Sequence, residues 1–186
     1  MTSPLYNPIM KKMNPAELLI RQKERYQSLK RLPFTAVLNN MRSLHNVGSI
    51  FRTADGAGLE KLWLCGITGI PPDSKISKTA LGSEKSVPWE FREKAVDCIR
   101  DLKESGYEIV LLEQTHQSMA YQSYQPKGPV CLVLGNEISG VSDEILSLSD
   151  ASMEIEMAGL KNSLNVTVAF GVAAYHIRSQ MLKLKE

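Results

Sequence analysis

Cysteine is scarce and unpaired in this chain: among 186 residues only Cys65, Cys98 and Cys131 carry a thiol. They are odd in number and far apart, with no Cys-x-x-Cys pair, so neither a disulfide framework nor a zinc-finger spacing is present. Buried free thiols in a reducing compartment are the expectation. His45, His116 and His176 are equally scattered, and no metal is expected. No apolar run approaches the ~18 residues that span a bilayer. The N-terminal MTSPLYNPIMKKMNPAELL lacks the continuous apolar core of a signal peptide. A soluble cytoplasmic protein without membrane contact is therefore expected. Three common fingerprints are missing as well: the dinucleotide-binding G-x-G-x-x-G, the phosphate-cradling G-x-x-x-x-G-K-[ST] and the hydrolase G-x-S-x-G. Their absence argues against the usual nucleotide-binding and serine-hydrolase readings of an α/β chain.

What is present begins with an uneven charge. Residues 1–52 hold nine Lys/Arg against two Asp/Glu, a net +7, whereas the whole chain carries only +2. A basic N-terminal quarter on an otherwise acidic body suits a polyanion such as RNA, although a solvated helix face would look the same. Residues 1–13 read as an arm. Asn14-Pro15 is a helix start, with Asn as cap and Pro at the first helical position, and a basic helix is expected over about 15–31, ended by Pro33. Residues 1–32 then form an appendage to a body over 33–186.

In the body, strands and helices alternate. Strands are expected at 34–40, 61–68, 107–115, 129–137 and 151–157. Helices are expected at 47–58, 90–106 and 142–150 and from about Ser163 to Lys183, with an irregular loop up to about residue 80. This order predicts an α/β fold: a mostly parallel sheet with helices on both faces.

Three unusual segments fall at the ends of expected strands, where open α/β sheets bind ligands. The first runs from Asn39 to Ala54 and includes Arg42, Asn46, Arg52 and Thr53. The second is Leu132-Val133-Leu134-Gly135-Asn136-Glu137-Ile138-Ser139-Gly140-Val141. The third, Ile155 to Ala169, contains Gly159 and the run Asn162-Ser163-Leu164-Asn165. In this order they resemble the three motifs of the SpoU (TrmH-like) branch of the SPOUT RNA methyltransferases, over about residues 34–180.

The resemblance implies an S-adenosylmethionine-dependent enzyme that methylates a ribose 2′-hydroxyl of tRNA or rRNA. It also implies a homodimer and a C-terminal deep trefoil knot. No large N-terminal RNA-binding module is visible, which tilts the expectation toward tRNA. The family pattern makes Arg52 the catalytic arginine, with Asn46 upstream, Glu137 from the second motif, and Ser163 and Asn165 from the third. Arg52 is open to two roles, general base or electrostatic stabiliser, and arginine hardly deprotonates in proteins. Asn46, Ser163 and Asn165 could also cap helices. The family places the cofactor among Leu134, Gly135, Ile155, Met157, Gly159, Ser163 and Leu164, with Thr115 as a further candidate. Arg21, Arg25, Arg31 and Arg42 are candidates for RNA. A stripe of Val166, Ala169, Val172 and Ala173 on the last helix suggests the dimer contact. Two departures stand out: no proline precedes Asn46, and the third motif reads Ile155-Glu156-Met157 where Ile-Pro-Met is common. Two other readings remain open, a non-catalytic RNA-binding protein of this fold and a small-molecule nucleotide enzyme.

Overall fold

The structure is a computed structural model that describes residues 11–28 and 31–184. Residues 1–10, most of the expected arm, and residues 29–30, in the last turn of the expected helix, lie outside the described residues, as do 185–186. The chain divides into two compact units, 1–30 and 31–186.

The first unit is helix α1 (Pro15–Gln27). Asn14 and Glu17 cap it reciprocally: the Glu17 N–H donates to Asn14 Oδ1 at 2.9 Å and the Asn14 N–H to Glu17 Oε2 at 2.8 Å. No residue of this helix is buried.

The second unit begins two residues earlier than composition suggested, because Arg31 and Leu32 are part of its packing. The Arg31 guanidinium donates to the carbonyls of Leu59 (2.6 Å) and Ser86 (2.7 Å), and Leu32 is buried. The order of elements is β1 (Phe34–Asn39), α2 (Leu44–Ala57), β2 (Lys61–Cys65), α3 (Ser74–Ala80), α4 (Ser83–Ser86), β3 (Trp89–Arg92), α5 (Ala95–Glu104), β4 (Glu108–Leu112), β5 (Met119–Ala120), β6 (Val130–Leu134), α6 (Asp143–Leu148), β7 (Ala151–Glu154) and α7 (Val166–Lys183). The seven strands form one sheet in the order β3-β2-β1-β6-β4-β7-β5, and every pairing is parallel.

Strand alternation sorts the core into two layers. Phe34, Ala36, Leu38, Leu62, Leu64, Leu132 and Leu134 face α2, α3 and α7 through Ile50, Phe51, Ile76, Phe170 and Ile177. Val37, Cys65, Ile109, Leu111, Cys131 and Val133 face α5 and α6 through Cys98, Ile99, Leu102 and Ile145. Helices thus cover both faces, and the central strands β1 and β6 are buried along their whole length. The three cysteines are buried free thiols.

Two local expectations are corrected. Residues 89–92 form strand β3 beside β2, so the helix expected over 90–106 starts only at Ala95. The stretch expected as irregular contains α3, and α4 follows just beyond it. Helix α3 buries only Ile76 and Ala80, too short a run to show a helical period, but Asp73 caps it and it lies tightly on α2. At Gly48 a Cβ would collide with Thr79 and the Ile76 carbonyl, so only glycine allows the two helices to approach this closely.

Candidate functional site

The carboxyl ends of β4, β6 and β7 converge with the first turn of α2 and the N-terminus of α7 on one pocket of about 460 Å³. Two loops build most of its wall, and a third holds Asn46 at its edge. The turn after β6 closes on itself: the Asn136 N–H donates to the Gly140 carbonyl (3.0 Å), and the Gly140 N–H returns a bond to Asn136 (2.9 Å). The loop before α7 is tied to the end of β4 by Gln114 Nε2, which donates to the Asn162 carbonyl at 2.6 Å. The loop after β1 runs from Asn40 to the cap of α2.

Glu137 connects the first and third of these loops. Its carboxylate accepts from the N–H groups of Arg42 (3.1 Å) and Ser43 (3.3 Å) and from Asn46 Nδ2 (3.2 Å). Partial burial opposes its ionisation. The hydrogen bonds, with the Arg42 N–H foremost, outweigh that and hold the carboxyl below its ordinary value. Asn46 does not cap α2. Ser43 does, accepting the Asn46 N–H at 3.3 Å, which leaves the Asn46 side chain free to reach Glu137. Asn165 is the cap of α7, accepting from the Thr167 N–H (2.8 Å) and hydroxyl (2.6 Å). Ser163 is exposed, and among the described residues its one side-chain partner is Asn162 at 3.5 Å.

Of the expected site residues, Asn46, Leu134, Gly135, Glu137, Ile155, Ser163, Leu164 and Asn165 meet in this one pocket. Thr115, Met157 and Gly159 do not line it. Thr115 lies on a neighbouring depression, where its hydroxyl accepts the Gln117 N–H at 3.2 Å and organises a turn. Gly159 is exposed, with open space where a Cβ would be. Gly135 has a role that the sequence did not show. A Cβ there would strike the backbone of Gly140 and Val141, so glycine is required by the turn itself, and a larger residue would break the pocket wall before it met any ligand.

Arg52 also stands outside the pocket wall. It lies on α2 about 9 Å further along the helix axis than Asn46, at 1.5 Å per residue, is exposed, and makes no ion pair among the described residues. The plain structural alternative, a surface salt bridge, is thus not what occupies it. Arg42 is exposed, with its backbone N–H on Glu137. The Arg31 guanidinium, a candidate for RNA, donates to two backbone carbonyls of its own domain.

Sequence reasoning missed Glu113 and Gln114, and gave no individual role to Asn136, Ile138, Gly140 and Asn162 of the candidate segments; all six line the pocket. Strand β4 ends at Leu112 rather than at residue 115, so the first loop positions are Glu113 and Gln114. A ligand beyond a strand's carboxyl end meets those positions first. Among the described residues there is no group of three or more His, Cys, Asp or Glu able to hold a metal ion. No described helix is long and apolar enough to cross a membrane.

Residues 33–175 match the SpoU rRNA Methylase family. A tRNA (guanosine(18)-2′-O)-methyltransferase of Aquifex aeolicus is 34% identical over 146 residues, which cover 76% of this chain and 67% of that one. The crystal structure of an Aquifex aeolicus TrmH/SpoU tRNA modifying enzyme superposes with a TM-score of 0.78 at 29% identity, over 90% of this chain and 86% of its own. An AdoMet-bound rRNA methyltransferase from Sinorhizobium meliloti gives 0.74 at 29% identity, over 78% of this chain but only 56% of the longer relative.

Proposed function

Because this chain belongs to the SpoU rRNA Methylase family, we propose that it is a ribose 2′-O-methyltransferase acting on RNA with S-adenosylmethionine as methyl donor. The observation that carries the reading is the meeting, in one pocket, of Asn46, Glu137 and Asn165 from three segments far apart in the chain. When bound, S-adenosylmethionine supplies an activated methyl group on a sulfonium cation. The pocket suits it. About 460 Å³ lies within the usual range for ligand sites, roughly 300–1,000 Å³. Leu112, Leu134, Ile155 and Leu164 offer apolar walls to a purine, and Glu113 and Glu154 offer carboxylates to a cationic ligand. Glu137 is already engaged and acts on the protein, holding Arg42, Ser43 and Asn46 in place.

Arg52 acts at the acceptor. It is exposed, unpaired among the described residues and permanently charged, so it can hold a phosphate and stabilise the negative charge that grows on a 2′-oxygen as its proton leaves. A tRNA is placed ahead of rRNA on the strength of the Aquifex tRNA relative, and the cytoplasm is the location such a substrate calls for. Incubation of the purified protein with unmodified tRNA, ribosomal RNA and labelled donor tests the function directly. Label on a 2′-oxygen of tRNA is expected; no transfer to either RNA would overturn the reading.

A homodimer and a knotted C-terminus belong to the same proposal. The knot rests on the family to which the chain belongs. The dimer is supported by α7, though not by the stripe first expected. Ala173 is in the chain's own core with Phe170, Ala174, Ile177 and Met181, and Ala169 faces the pocket. What remains outward is Val168, Tyr175 and Leu182, 51%, 52% and 42% exposed and seven residues apart. Sedimentation is expected to give a dimer, and Val168→Glu with Leu182→Glu a monomer; a wild-type chain that is monomeric at all concentrations would remove the interface.

The basic helix α1 is assigned to RNA through Arg21 and Arg25. Each phosphate contact on a single strand contributes about 0.7 to the salt slope of binding. Replacing both arginines with Gln is expected to lower that slope by about 1.4 without changing donor affinity. Arg31→Gln should instead lower the melting temperature and leave the slope alone. An unchanged slope in the double variant would take α1 out of the RNA interface.

A further inference from the structure

We propose that Asn136 is a positioning residue: its side-chain amide clamps the donor-side turn to the loop that starts α2, and so sets the helix carrying Asn46 and Arg52 against the pocket. The two ends of this amide do different work. Oδ1 accepts the N–H groups of Ile138 (2.9 Å) and Ser139 (3.1 Å) and shapes the turn after β6. Nδ2 crosses to β1 and donates to the Asn40 carbonyl at 2.7 Å, the shortest tie between the two loops.

Asn40 is a prepared receiver. It holds the left-handed conformation at φ +57°, its N–H donates to the Cys65 carbonyl (3.1 Å), and its Oδ1 accepts the Ile67 N–H (3.1 Å). The next residue, Met41, donates to Thr68 Oγ1 at 3.0 Å. The loop is therefore pinned to the end of β2 on one side. On the other it is pinned by Asn136 and by Glu137, the next residue, which takes the N–H groups of Arg42 and Ser43. Ser43 is the cap of α2. A shift of Asn136 would pass through this cap to the direction of the whole helix. The functional consequence rests on the methyl-transfer reading; the clamp itself does not.

Asn136→Asp separates the two ends. It keeps the oxygen that shapes the turn and sets a second oxygen, in place of the donor, against the Asn40 carbonyl. In the full chain, exchange protection of the Arg42 and Ser43 amides is expected to fall by about tenfold, the scale of one hydrogen bond. Donor affinity by calorimetry should stay within threefold, because the turn persists. Turnover should fall at least tenfold at pH 7.5. The ratio of variant to wild-type turnover should then rise as pH is lowered toward 5. The facing Asn40 carbonyl opposes ionisation of the new carboxyl while the Ile138 and Ser139 N–H groups favour it, and once protonated it can donate to Asn40 again. A structural defect alone would leave that ratio flat. Should this variant fail to fold, Asn136→Ser carries the exchange and turnover tests, since its hydroxyl can shape the turn but cannot reach Asn40. Amide protection and turnover within twofold of wild type, or a ratio independent of pH, would overturn the proposal. A wild-type protein that transfers no methyl group would overturn the methyltransferase reading instead, with the exchange result still deciding the clamp.

Discussion

Arg52→Ala is expected to lower methyl transfer by about 10²–10³-fold, the usual cost of removing one group that stabilises developing charge. S-adenosylmethionine affinity should stay within a few-fold of wild type. The separation follows from position. Arg52 projects from α2 into solvent, with no ion pair among the described residues to lose and no place in the wall of the pocket. Its removal leaves no buried partner stranded, so the melting temperature should hardly move. Arg52→Lys keeps the charge but loses the planar fork that grips a phosphate on two oxygens, and is expected to restore only part of the rate. Single-turnover kinetics on unmodified tRNA, alongside donor calorimetry, check both statements. A variant with more than half of wild-type turnover would take Arg52 out of the mechanism.

Glu137→Gln should cost roughly 10- to 100-fold in turnover, the scale of a lost charge-assisted hydrogen bond. The carboxylate accepts from three donors on the loop and first turn of α2. A carboxamide turns one of its two acceptors into a donor that faces them. The change also carries a pH signature. The folded carboxyl is held below its ordinary value, so its contribution to stability is complete above the unfolded value of about 4.3 and is lost as pH falls through the lower folded value. The wild-type melting temperature should therefore drop more steeply below about pH 4.3 than that of Glu137→Gln. Parallel acid limbs in the two proteins would show that Glu137 does not titrate against this loop.

Much of the site was legible because its parts are short segments at strand ends. Gly135, Glu137, Ser163 and Asn165 were named through the resemblance of those segments to the family's motifs, and all four line the one pocket. Cap identity was less legible. Ser43 and Asn46 are both good caps in sequence, and only the register of the first turn decides that Ser43 takes the cap while Asn46 turns to Glu137. Thr115 was misplaced for a similar reason: an apolar run shows that a strand exists but not where its pairing stops, and β4 stops at Leu112. Met157 and Gly159 belong to the right segment. Being in a motif loop does not decide which of its residues turn inward.

The sequence by itself determined the class of fold. Its alternating apolar strands and amphipathic helices can bury their faces only in a covered, mostly parallel sheet. It also marked the three segments that meet at the pocket, because glycine, amide and carboxylate groups at strand ends have no use in a core. The tertiary structure alone decided the strand order, which puts β1 beside β6 although most of the body lies between them in the chain. That adjacency brings the Asn40 carbonyl within reach of Asn136, and the donors of Arg42 and Ser43 within reach of Glu137. It also decided that Arg31 would staple the domain, that Ala173 would face inward, and that α3 would exist with two apolar anchors, Ile76 and Ala80. These outcomes depend on partners distant in sequence, and no local period or propensity records a partner.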